Sequence, residues 1–295
     1  MKQKEKTTVC TNENWDADAV ASALFQCGRN AKKGWTDGMW KLKGDGSLLT
    51  RLDCQNEELL RTTLTALVPG SYFLGEETLA DCTEDYLQQA FRGDCWIVDP
   101  IDGTAPFAHG FPCWGISVGF MRGGGLTDGG IILPDQGEML LTHGESVMYA
   151  DGIDVLEGSV PRQFRKLPKR EEEWTDGGML MLGQDVTRRC STGLRNPVMS
   201  TGSAVQALAS VILGRGMAYI GNVKIYDVAG IFPILSRLGF EIYLPGFGDV
   251  TMDLNTGYFD ISADAPVRWK LKGNMRVGMP AVVDVLKNRL QLHGE

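Results

Sequence analysis

Apolar residues recur along this chain in short runs and in helical spacings, and their alternation predicts interleaved strands and helices. A helix capped at Asn12 or Asn14 and running to about Gly34 follows from the small and apolar positions Trp15, Ala19, Ala23 and Ala31. A second begins at Asp53, carries Leu59, Leu60, Leu64 and Leu67 at helical spacing, and ends at Pro69-Gly70. Ser71 to Leu74 reads as a short strand that delivers Gly75, Glu76 and Glu77. Trp96, Ile97 and Val98 are β-formers in a run too short for a helix, and Pro100 cannot donate to a sheet ladder, so that strand should stop near Asp99. Asp99 and Asp102 then emerge on a turn. Gly103 spares a side chain where backbone must approach a ligand, and Thr104 stands at a helix start.

Cys113 to Arg122 reads as a buried strand turned back by Gly123-Gly124-Gly125, with further strands from Gly129 to Ala150. Downstream, strands are expected at Met179 to Leu182, Met217 to Ile220 and Phe240 to Leu244. Helices are expected from Thr201-Gly-Ser-Ala204 through Leu213 and from Asp227 along Val228, Ile231 and Leu235. Val277 and then Pro280 to Leu292 give a closing strand and helix. Three stretches look like connections: a mobile loop from Trp35 to Gly46 carrying Lys41 and Lys43, a polar segment from Asp81 to Arg92, and a charged segment over 161–173. No repeat interrupts the pattern. The division expected is an N-terminal half, 1–150, and a C-terminal half, 151–295.

Composition narrows the function. With 43% hydrophobic residues the chain has ample material for a core. A net charge of −8 and a pI of about 5.1 argue against a surface that coats nucleic acid or anionic membrane, so an anionic ligand must be attracted locally. Met1 to Lys6 is charged with no apolar run behind it, and no stretch approaches the length of a membrane span, so neither a secretory signal nor a bilayer crossing is expected. Seven cysteines without a CxxC pair read as reduced thiols of a cytoplasmic protein. His109, His143 and His293 are too scattered to suggest a metal site.

The acidic residues carry the chemistry. Two carboxylates held about 4 Å apart repel by on the order of 4 kcal/mol at an effective dielectric of about 20, and a divalent cation removes that cost. Hard oxygen donors of this kind suit Mg²⁺. Asp99 and Asp102 could equally cap a turn, since DPxDG alone is compatible with both.

Trp96-Ile-Val-Asp-Pro-Ile-Asp-Gly-Thr104, followed by Phe107, Gly110, Pro112 and Ser117, resembles the first signature of the inositol monophosphatase family. Gly75-Glu76-Glu77 and Ile225-Tyr-Asp-Val-Ala-Gly230 resemble the family's other two metal-site motifs in the right order, and the likeness runs over about residues 40 to 245. The resemblance implies an α/β (α+β) protein with a layered αβαβα arrangement. It implies a metal-dependent phosphomonoesterase of a small phosphorylated alcohol or sugar, working through metal-activated water with two or three Mg²⁺ ions. Glu76, Asp99, Asp102, Asp227 and the Ile101 carbonyl match the metal ligands. Thr104 and Asp53 match the groups that orient the attacking water, while N–H groups around Gly103 and Thr104 would hold phosphate and those near Ser203 and Ala204 would meet the alcohol portion.

Departures bear on the substrate. Ile220 lies seven positions before Asp227, where inositol-selective members carry an acidic residue, so weak activity on inositol 1-phosphate is expected. Ala105-Pro106-Phe107 lacks the Lys-Gly-Phe of the nucleotide branch; Leu52 and Tyr226 replace the usual Thr and Trp. Histidinol-phosphate or nucleotide 3′-phosphate phosphatases are the enzymatic alternatives, and a non-catalytic binding protein on the same fold is the alternative of another class. The resemblance also implies a homodimer and a response to lithium.

Overall fold

Period-two alternation in the strands sorts this molecule into layers. The computed structural model describes residues 14–36, 40–44, 46–265 and 267–292. The described chain begins with α1 (Ala17–Gly34), a hairpin of β1 (Trp40–Leu42) and β2 (Leu48–Thr50), and α2 (Arg51–Leu67). A seven-stranded sheet follows in sequential order: β3 (Tyr72–Gly75), β4 (Asp94–Asp102), β5 (Gly115–Arg122), β6 (Gly125–Leu133), β7 (Glu138–His143), β8 (Ser146–Ala150) and β9 (Arg165–Lys166). β3 runs parallel to β4 and the other pairs are antiparallel. Between strands lie α3 (Glu84–Ala90) and α4 (Thr104–Ala108).

The second sheet takes β10 (Leu180–Leu182), β11 (Val198–Met199), β12 (Ala218–Gly221), β13 (Glu241–Leu244), β14 (Gly248–Asp249) and β15 (Met275–Gly278), in the spatial order β11-β10-β12-β15-β13-β14. Its helices are α5 (Gln184–Arg189), α6 (Ala204–Ile212), α7 (Ile225–Ala229), α8 (Phe232–Leu238) and α9 (Pro280–Arg289).

Trp96 and Val98 of β4 point to one face of the first sheet, where they pack with Leu24, Phe25, Leu60 and Leu64 of α1 and α2. Ile97 points to the other face and joins side chains of α6, α7 and α8 and the inner face of the second sheet, Tyr219 and Val277 among them. Ala218 and Ile220, flanking Tyr219, turn to the far face against Val186 of α5 and Val282 and Leu286 of α9. The result is the helix, sheet, helix, sheet, helix stack expected.

Several boundaries differ from the sequence reading, each for a local reason. Asp16, not Asn14, caps α1 by accepting from Ala19 N–H; Asn14 donates instead to Asp94 at 2.7 Å, and Asn12 lies outside the described residues. Thr50 caps α2 and Asp53 is its third residue, the two forming a capping box. β4 does not stop at Asp99: it continues to Asp102 through a register shift against β5 that accommodates Pro100. The polar segment 81–92 contains α3, started by Thr83 accepting from Tyr86 N–H. Part of the expected loop over 35–46 is the β1–β2 hairpin, and the charged segment 161–173 supplies β9 to the sheet edge. The single helix expected from Asp227 is two, α7 and α8, the second with Pro233 in its first turn. Among the described residues no helix is long and apolar enough to cross a membrane.

Candidate active site

The site forms where α7 lies almost directly on the backbone of the first sheet. A Cβ at Gly129 of β6 would sit 2.1 Å from the carbonyl oxygen of Gly230, and one at Gly119 of β5 would sit 2.5 Å from that of Ala229. Gly230 N–H donates to buried Ser117 at 3.1 Å and completes the seat. This brings Asp227, on α7, beside the end of β4. One carboxylate oxygen from each of Asp99, Asp102 and Asp227 lies within 4.8 Å of the others. Asp99 is held by the Ile101 N–H at 3.0 Å and Asp227 by the Lys224 N–H at 2.7 Å.

Asp102 has further anchors. Ser203 Oγ donates to it, as do the N–H groups of Ala204 at 3.3 Å and Val205 at 2.7 Å, so the carboxylate caps α6 at its positive end. Ser203 Oγ and Ala204 N–H thus serve Asp102, while both residues also line the cavity beside the cluster. Gly103 is needed for a related reason. Its φ is 88°, and a Cβ there would lie 2.8 Å from both the Cys113 carbonyl oxygen and Ser203 Cβ, so the close neighbour is protein.

Glu76 reaches the site from the end of β3. Its turn is built on Glu57 of α2, which accepts from Glu77 N–H at 2.7 Å and Thr78 Oγ1 at 2.6 Å; Gly75 leaves room for that side chain. Lys43 bridges the two glutamates, with Nζ 2.9 Å from Glu76 and 2.7 Å from Glu77. Burial works against the Lys43 ammonium, yet the two glutamates outweigh it and raise its pKa. On the other side of the cluster, Thr104 Oγ1 lies 3.2 Å from Asp53 Oδ1 and 3.1 Å from the Ile101 carbonyl oxygen. Burial pushes the Asp53 carboxyl up to about 6, against the pull of its bonds from Thr50.

A cavity of about 250 Å³ opens beside these groups, lined by Glu76, Asp102 and Asp227 and, farther out, by Tyr219, Asn222 and Lys270. Lys270 pairs with Asp185 at 2.5 Å on its rim. Ile220 is not in the lining. It is fully buried on the far face of β12, which corrects its assignment to substrate. Glu57, Lys43 and Tyr219 went unassigned in the sequence reading. A buried Glu at the core-facing side of α2 was the one signal that could have marked Glu57.

Electrostatically the three aspartates repel one another, and Lys43 offsets charge only at Glu76 and Glu77. Burial, and then Glu76 together with the aspartates around it, raises Asp99 well above the carboxylate range; burial followed by Asp102 and Glu76 does the same for Asp227. Burial takes Asp102 up to about 6 despite its donors. A buried, oxygen-only donor set that repels itself fits a hard divalent cation.

Two stacked sheets between helix layers, with carboxylates gathered at a strand end and a helix start, define a layered α+β protein with a buried acidic cluster at its centre. The chain belongs to the inositol monophosphatase family, whose model matches residues 8–267. It is similar to inositol monophosphatase 1 of Solanum lycopersicum, 30% identical over 207 residues that cover 69% of this chain and 74% of that one. Similarity to an uncharacterised Sinorhizobium fredii protein is 29% over 63% of each chain, so this alignment spans less than two thirds of that relative. Among solved structures, the extragenic suppressor protein SuhB of Bartonella henselae superposes with a TM-score of 0.68 at 18% identity, over 93% of this chain and 98% of that one. An inositol monophosphatase of Thermotoga maritima gives 0.61 at 18%, covering 91% and 94%.

Proposed function

We propose that this protein is a Mg²⁺-dependent phosphomonoesterase of a small phosphorylated alcohol or sugar. The observation that carries the reading is the meeting of Asp99, Asp102 and Asp227 within 4.8 Å beside a cavity that Glu76 also lines. Those four carboxylates and the Ile101 carbonyl would hold the ions. When bound, Mg²⁺ offsets phosphate charge and makes water acidic enough to attack. The chain's own groups do the rest. Thr104, between Asp53 and the Ile101 carbonyl, fixes the direction of attack, and Asp53 at about 6 is poised to take a proton near neutral pH. N–H groups of Gly103 and Thr104 at the start of α4 meet phosphate oxygens in this reading.

The test is phosphate release from a panel holding inositol 1-phosphate, glycerol 2-phosphate, histidinol phosphate and adenosine 3′-phosphate. Release that needs Mg²⁺ and stops in excess chelator is expected. Full activity in chelator would refute the metal mechanism, and silence across the panel would favour a binding protein on this fold.

A further inference from the structure

Resting on the phosphatase reading, we propose that the phenol of Tyr219 is a specificity-determining group that hydrogen-bonds a hydroxyl on the substrate's alcohol portion. Tyr219 is 2% exposed, yet its hydroxyl forms no hydrogen bond with any described residue, and the side chain lines the cavity shared with Asp102 and Asp227. A cavity-lining hydroxyl without a protein partner leaves a hydrogen-bonding position that a ligand or water can complete.

Two glycines make room for the phenol where it meets the cavity: a Cβ at Gly221 would lie 2.5 Å from the hydroxyl oxygen and one at Gly183 3.0 Å away. Burial and the charges of Asp227, Asp102 and Asp185 keep the proton on the oxygen, which can therefore donate as well as accept. One turn of chain away, Asn222 points the same way chemically. Its amide nitrogen donates to the Leu271 carbonyl at 2.9 Å, which can only accept, so the amide oxygen must face elsewhere; it is buried and has no partner. An unpartnered phenol in the cavity, with the unpartnered Asn222 amide oxygen buried behind its lining, suits a polyol or sugar phosphate better than a plain alkyl phosphate.

The matched esters glycerol 2-phosphate and 2-propyl phosphate differ only in the two hydroxyls next to the ester carbon. With Mg²⁺, wild type should favour the glycerol ester in kcat/KM by about ten- to a hundredfold. Tyr219→Phe should bring that ratio toward one, chiefly by raising KM for the glycerol ester. Its Tm should hold or rise, because the hydroxyl removed has no protein partner. Equal rates in wild type, or an unchanged ratio in Tyr219→Phe, would overturn the assignment while leaving the phosphatase reading intact. No Mg²⁺-dependent release from either ester or from p-nitrophenyl phosphate would overturn both.

Discussion

Lys43 illustrates how single side chains set the state of the site. Its ammonium bridges Glu76 and Glu77, where it offsets charge that a divalent ion would otherwise neutralise. Lys43→Ala should therefore destabilise the metal-free protein by about 1–2 kcal/mol, a discount on a fully buried pair because some solvent reaches it. It should also tighten Mg²⁺ binding several-fold, since no ammonium has to leave. Calorimetric titration checks this; weaker binding in the variant would mean that Lys43 stays beside the ion. At this scale the acidic ligands were legible, because carboxylates beside glycine and proline stand out in a linear motif. Tyr219 and Ile220 were not. In a strand, neighbouring residues face opposite layers, and a motif offset alone cannot say which of the two enters the cavity. Lys43 was seen only as a charged loop residue, since its partners are 33 and 34 positions away.

Elements carry these residues into place, and α7 does so by contact with β5 and β6 at backbone distance. Gly129→Ala would drive a methyl group into the Gly230 carbonyl. It should cost about 1–3 kcal/mol of stability and also lift Asp227 away from Asp99, with loss of Mg²⁺-dependent thermal stabilisation. A variant with normal stability and normal metal response would show that the helix has room to spare. Long amphipathic stretches such as α1 and α2 were readable because a repeated apolar face leaves little choice. Short elements were not: α3 buries only Leu87 and Ala90, too few positions to establish a period. Pro233 marked the break between α7 and α8, although proline is also at home in a first helical turn.

At the scale of the whole molecule, the layer order followed from the family motifs and the alternation of helices and strands. The spatial order of the second sheet did not, because β13 and β15 are joined across a long stretch of chain and pair only in three dimensions. Asp99 and Asp102 belong to the first sheet, while Asp227 comes from the middle helix layer. A cation joining them should stabilise the fold as a whole. Mg²⁺ at about 100 times its Kd would add about 2.7 kcal/mol and raise Tm by roughly 4 °C, measurable by calorimetry with and without chelator. An unchanged Tm would remove the cation from this position. The glycine seat beneath α7 has a broader consequence. Side chains elsewhere in the core can be exchanged for others of similar volume over generations, but the spacing between the sheet and this helix is measured out in main chain. Substitution leaves peptide atoms unaltered, so the alignment of the carboxylates can outlast extensive drift in the sequence around them.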